Sequence, residues 1–237
     1  MIVYGRNAVR EALRGRRART LGWVLASEAA AQEPWLGPAR VRIGTPAEIE
    51  AACGSRDHQG VCAELGGYPY VSAAELFAGS APLIVALDEV QDPQNLGAIC
   101  RTAECVGASG VVICERRAAH VTPAVCRAAA GAVEHLRIAR ARNLSDFLRE
   151  ARTAGCWSYG AAAVAGAIHY ATADYSGGTV IVFGAEGRGL RRLVAESCDT
   201  LVALPLRGAI GSLNVNAAAG ALLYEALRQR EGLDSGS

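Results

Sequence analysis

The chain has 237 residues, is 51% apolar with only 5% aromatic residues, and carries a formal charge of +1. That length buries a real core, as one large domain or two modest ones, built mainly from Ala, Val, Leu and Ile. No apolar run approaches the roughly 18 residues that span a bilayer, and the start Met1-Ile2-Val3-Tyr4-Gly5-Arg6 has no long apolar stretch behind a basic one. A cytoplasmic protein without membrane contact is the expectation.

All 24 basic residues are arginine. Arg6, Arg10, Arg14, Arg16, Arg17 and Arg19 crowd the first twenty positions against Glu11 alone. A guanidinium is planar and always charged, and suits phosphates and stacked bases, so this cluster reads either as an RNA-facing edge or as a solvated helix face. The eight cysteines include no Cys-x-x-Cys pair and several sit among apolar neighbours; buried thiols are expected, with neither disulfide nor metal.

In chain order, residues 1–70 read as a small α/β domain. Helical spacing over 5–13 has Asn7 as a candidate cap, and strands are expected at 21–25 and Val41–Ile43. Thr45-Pro46-Ala47-Glu48 opens a helix: a threonine cap, proline at the first helical position, and glutamate three residues after the cap. Arg56-Asp57-His58-Gln59-Gly60 is a polar turn running into a strand. Residues 71–82 read as a linker with a short helical stretch at 72–77, and 83–237 as a second domain. There, apolar strands at 83–87, 110–114, 157–162, 179–183 and 200–204 alternate with helices at 95–106, 123–131, 145–154, 190–197 and 213–230. Such alternation predicts an α/β fold, a mostly parallel sheet with helices on both faces. The tail 232–237 reads as disordered.

Three segments of the second domain carry the chemistry. The first is Asp92-Pro93-Gln94-Asn95-Leu96-Gly97-Ala98-Ile99-Cys100-Arg101. The second, Ile181-Val182-Phe183-Gly184-Ala185-Glu186-Gly187-Arg188-Gly189-Leu190, runs from a strand into a glycine loop. The third spans 201–224 and includes Leu204, Leu206 and Ser212-Leu213-Asn214-Val215-Asn216. Strand carboxyl ends are where ligands gather in open α/β sheets. The glycine spacing is the reverse of the dinucleotide fingerprint, and no acidic residue ends a strand about 20 residues on, which argues against a nicotinamide enzyme.

In this order and spacing the three segments resemble the signature motifs of the SpoU/TrmH family of RNA ribose 2′-O-methyltransferases, over roughly residues 81–230. The resemblance implies a catalytic domain with a C-terminal trefoil knot, use of S-adenosylmethionine, and a homodimer. It implies cofactor contacts from Gly184, Ala185, Gly187, Leu204, Leu206, Ser212, Leu213 and Asn214. Arg101 is implied near the acceptor ribose; a guanidinium normally stays protonated, so its role reads as placing positive charge on the developing alkoxide or a phosphate. Asn95 is expected to start its helix, Glu186 to bond Asn95 or Arg101, and Asn214 to position the acceptor. One departure is Asn216, where many relatives have serine.

The His58-Gln59-Gly60 loop and the opening Tyr4-Gly5-Arg6-Asn7 resemble the family's L30e-like substrate-binding domain, which makes Arg6, Arg10, His58 and Gln59 candidate RNA contacts. The subgroup most similar acts on a guanosine of 23S rRNA. The rivals are a tRNA methyltransferase or a resistance-conferring rRNA methylase of the same family, and a non-catalytic RNA-binding or ribosome-assembly protein.

Overall fold

The computed structural model describes residues 1–37 and 41–232; the tail expected to be disordered lies, from residue 233 on, outside the described residues. The elements of the first stretch are β1 (Ile2–Tyr4), α1 (Arg6–Arg14), β2 (Trp23–Ala26), α2 (Glu28–Ala31), β3 (Val41–Ile43), α3 (Pro46–Cys53) and β4 (Val61–Glu64). They continue as β5 (Leu83–Asp88), α4 (Pro93–Cys105), β6 (Gly110–Cys114), α5 (Pro123–Ala128), β7 (Ile138–Ala141), α6 (Leu144–Thr153) and β8 (Trp157–Ala161). The last are β9 (Ile168–His169), β10 (Thr179–Gly184), α7 (Arg192–Ser197), β11 (Thr200–Ala203) and α8 (Val215–Arg230). The chain divides into two compact units, one of Met1–Pro69 with His120–His135, the other of Tyr70–Ala119 with the residues from Leu136 onward.

The first unit is built on a four-stranded sheet in the order β1-β4-β2-β3, with β4 antiparallel to both neighbours. Helix α3 starts as its sequence predicts. Glu48 N–H donates to Thr45 Oγ1, and Thr45 N–H donates back to the Glu48 carboxylate at 2.7 Å. Helix α1 does not start at Asn7. Gly5 is its cap, with φ at 91°, and the orphan N–H of Arg6 donates to Gln59 Oε1 at 3.0 Å, a partner 53 residues away. The positive φ is what favours glycine here; a Cβ would meet the movable end of the Arg127 side chain, 2.7 Å from its Cδ.

Segment 120–135 belongs to this unit although its sequence lies between β6 and β7, inside the stretch read as the second domain. Arg17 explains why. Its side chain is fully buried, Nε donates to Glu134 Oε2 at 2.9 Å, Nη2 pairs with Glu134 Oε1, and Nη1 donates to Gly66 O at 3.2 Å. Burial opposes the guanidinium's charge, but the hydrogen bonds and field of Glu134 outweigh it and raise its pKa.

The second unit carries a seven-stranded sheet in the order β7-β6-β5-β10-β8-β11-β9, every neighbouring pair parallel. β10 lies between β5 and β8, and β11 between β8 and β9. Every residue of β5, β6 and β10 is buried, as helix-covered parallel strands require. The short strands β1, β7 and β9 are not among those the pattern predicts. Residues 71–82 are no free linker: Val71 bridges Ala139, Leu76 is fully buried in the core, and Phe77 stacks on Phe147 with ring centres 5.3 Å apart. Among the described residues no helix is long and apolar enough to cross a membrane.

Candidate active site

At the carboxyl edge of the second sheet, the loops after β8, β10 and β11 enclose a cleft of about 220 Å³. One ordered water needs only about 10–15 Å³ on the same measure, so the space suits an organic ligand. Gly184, Ala185 and Gly187 line it from one loop, and Leu204, Leu206, Ser212 and Leu213 from another, with Phe183, Val202, Val215 and Leu222 beneath. Seven of the eight residues read as cofactor contacts therefore share one cavity. The eighth, Asn214, caps α8, its Oδ1 accepting from Asn216 N–H at 2.9 Å. The glycine loop folds back on itself: a Cβ on Gly184 would fall 2.0 Å from the Gly189 carbonyl carbon, so the turn closes only over a bare α-carbon.

Asn95 from the first turn of α4, Glu186 from the glycine loop and Asn214 from the cap of α8 meet beside this cleft. Asn95 Nδ2 donates to Glu186 Oε2 at 3.2 Å, while Asn214 Nδ2 donates to Asn95 Oδ1 at 3.1 Å and to Glu186 Oε1 at 3.4 Å. Asn95 is not the helix start expected of it. Asp92 caps α4, accepting from Gln94 N–H at 2.9 Å, and Pro93 follows; Asn95, two residues on, is buried. Of the two partners expected for Glu186, only Asn95 is present.

Arg101 stands apart. Six residues on from Asn95 place it about 9 Å further along α4 and about 240° round the axis, so the two leave the helix on different faces. It is exposed, lines neither of the clefts described here, and has no hydrogen-bond or ion-pair partner among the described residues.

A second cleft of about 190 Å³ shares Ala185 and Glu186 with the first and is lined also by Glu89, Val90, Gln91, Asp92, Asn95 and Arg188. Behind it lies an ion-pair group that the sequence reading missed. Asp88 is fully buried at the end of β5; its Oδ2 accepts from Arg191 N–H at 2.8 Å and its Oδ1 from Arg191 Nε at 2.7 Å. The Asp88 hydrogen bond raises the Arg191 pKa against partial burial. The partners are 103 residues apart in sequence, and no local pattern announces the pair.

The candidate RNA contacts lie in the first unit. Arg6 pairs with Glu33 and Arg10 with Glu11, both at 2.7 Å. His58 is buried, its Nδ1 accepting from Gly60 N–H at 2.9 Å, so it stabilises its own turn. Gln59 is exposed and caps α1. With Arg17 buried, the amino-terminal arginines form no uniform basic face; Arg14 and Arg19 are the exposed ones without an ion pair among the described residues. Burial pushes the thiols of Cys62, Cys126 and Cys198 up to about 12.

Residues 82–224 match the SpoU rRNA Methylase family, and residues 2–71 match the RNA 2′-O ribose methyltransferase substrate binding family. The chain is 42% identical to the putative TrmH family tRNA/rRNA methyltransferase YacO of Bacillus subtilis, over 73% of this chain and 71% of that one. It is 43% identical to the 23S rRNA (guanosine-2′-O-)-methyltransferase RlmB of Pseudomonas syringae pv. tomato, over the same shares of 73% and 71%. Among solved structures, the SpoU methyltransferase AviRb of Streptomyces viridochromogenes, in complex with the cofactor AdoMet, superposes with a TM-score of 0.83 at 25% identity, covering 100% of this chain and 91% of that one. An AdoMet-bound rRNA methyltransferase of Sinorhizobium meliloti superposes at 0.79 with 30% identity, covering 96% and 86%. On the match over residues 82–224 and on identity that extends across most of its length, the chain belongs to the SpoU rRNA methylase family.

Proposed function

We propose that this chain transfers a methyl group from S-adenosylmethionine to a ribose 2′-hydroxyl of RNA, with a guanosine of 23S rRNA as the acceptor. One observation carries the reading: an apolar cleft closed by a glycine loop abuts the Asn95–Glu186–Asn214 ring, and among the described residues Glu186 is the only charged side chain that lines it. A cationic ligand meets no positive charge there, and Val202, Leu204, Leu206 and Leu213 offer aliphatic surface to a planar base. S-adenosylmethionine, when bound, supplies a methyl carbon made electrophilic by its sulfonium.

The chain's own part is positioning. Asn95 and Asn214 hold the Glu186 carboxylate, and backbone groups of the two loops hold the ligand. Arg101 is a cation with no side-chain partner among the described residues, open to the acceptor's phosphate or its developing alkoxide. The first unit, an L30e-like module by this reading, binds the RNA. The insertion of β10 and β11 between strands laid down earlier supports a trefoil knot. Ala217, Ala221 and Tyr224, exposed at helical spacing on α8, support a homodimer packed through that face. The protein's place by this reading is the cytoplasm.

The test is methyl transfer to 23S rRNA from a strain lacking the gene, with the 2′-O-methylated position mapped by sequencing and S-adenosylmethionine binding measured by calorimetry. Binding together with one new methylated guanosine is the expected result. Binding of NADH without S-adenosylmethionine, or methylation confined to tRNA, would overturn the reading.

A further inference from the structure

The loop that carries Glu186 is closed at both ends on one buried carboxylate. At its start, Gly184 lies in register beside Asp88 across the β10–β5 ladder. At its end, Arg191 gives Asp88 a backbone N–H and a guanidinium Nε–H, one to each carboxylate oxygen. Between them the loop is pinched by the bridge from Ala185 to Gly189, whose N–H donates to Ala185 O at 2.8 Å. Asp88 is also the last residue before the turn that leads to Asn95. The next residue, Glu89, has φ at 56°, a conformation side chains rarely adopt, and its carboxylate faces Arg191 at 3.3 Å and Arg117 at 3.8 Å. The two loops that deliver Asn95 and Glu186 thus leave from the same ion-pair group.

We propose that Asp88 and Arg191 are positioning residues for methyl transfer: their ion pair sets the exit of loop 185–190 and, through it, the place of Glu186 against Asn95 and Asn214. The inference rests on the methyltransferase reading above. Neither residue lines the cofactor cleft, so neither acts on a ligand there directly. The guanidinium of Arg191 meets Asp88 Oδ1 with both Nε and Nη2 while the backbone N–H takes Oδ2, and the single ammonium of a lysine would not reproduce the paired contact.

The experiment compares Arg191→Ala, Arg191→Lys, Glu186→Gln and the double variant Arg191→Ala/Glu186→Gln, each assayed well below its own melting temperature. Arg191→Ala should lower kcat by about 10- to 100-fold, the usual scale for losing a group that orients another. Arg191→Lys should recover part of the loss. Because the effect passes through Glu186, Arg191→Ala should cost little more once Glu186 is Gln. A wild-type rate for Arg191→Ala, or losses that multiply fully in the double variant, would overturn the proposal. Should the wild-type protein itself fail to methylate RNA, the functional reading falls, and hydrogen exchange still judges this one: faster exchange of the 185–190 amides in Arg191→Ala upholds the anchor, and unchanged exchange refutes it.

Discussion

Arg101 and Asp199 show how differently two charged side chains can be used. Arg101 has no partner among the described residues, so Arg101→Ala should leave folding and S-adenosylmethionine affinity unchanged while the methylation rate drops by about 100-fold, the scale of one lost preorganised charge. Single-turnover kinetics beside calorimetry checks this, and a wild-type rate would make Arg101 a surface residue only. Asp199 is held on all sides. Burial alone would raise its pKa, but Ser158 N–H at 2.9 Å, Ser158 Oγ at 2.5 Å and Arg152 Nε at 2.7 Å together hold the carboxyl below its usual range. A lowered folded pKa means stability that is present above the unfolded value, about 4, and lost as pH falls through the folded one. Urea unfolding from pH 6 to pH 2 should therefore show wild type losing its advantage over Asp199→Asn below about pH 4; parallel curves would contradict the assignment. The nearly closed ring of Asn95, Glu186 and Asn214 was legible as three polar residues in three motifs. The bond between Asn95 and Glu186, 91 residues apart, was expected from the family resemblance; the bond from Asn214 to Asn95, across 119 residues, was not, because such contacts leave no local trace.

Among the elements, those set by adjacent residues were readable. The Thr45–Glu48 capping box and the apolar strands at 83–87 and 179–183 depend on neighbours alone, and they stand where the pattern puts them. β7 escaped notice because Ile-Ala-Arg-Ala has no continuous apolar run, although three of its four residues are buried. α1 was placed correctly but given the wrong cap, since Gln59 reaches it from a distant turn. The glycine loop makes its own demand. In Gly184→Ala the new methyl would sit 2.0 to 2.3 Å from the backbone of Gly189 and Leu190. The loop must open, and cofactor affinity should fall at least about tenfold. Calorimetry decides this, with the alanine variant's sheet content by circular dichroism as the control for folding.

At the scale of the molecule, the domain boundary is the least visible feature in the sequence. Glu134 lies in a short segment, His120–His135, of a unit whose main stretch is Met1–Pro69, and Glu134→Ala leaves the Arg17 guanidinium buried without its carboxylate. Breaking a pair of that kind costs about 3–5 kcal/mol, so the unfolding transition of the first unit should drop in temperature and separate from that of the second; a single unshifted transition would count against it. A fragment of residues 1–70 lacks Glu134 for the same reason. By our reading the molecule is also a dimer, and light scattering of an active preparation at micromolar concentration should give twice the chain mass; a monomer would refute that.

The placing of β10 and β11 governs the order in which the chain can be assembled as it is made. β8 has only β10 and β11 as neighbours, and β9 has only β11. Both strands leave the ribosome before any partner exists, and at about 5–20 residues per second they wait some seconds with open edges. β5, β6 and β7 can pair early, but the gap beside β5 stays open until residues 179–184 arrive. A message truncated before that point would yield a chain able to pair β5, β6 and β7 and prone to aggregate through β8 and β9. The completed parallel sheet thus depends on translation running nearly to the end of the chain.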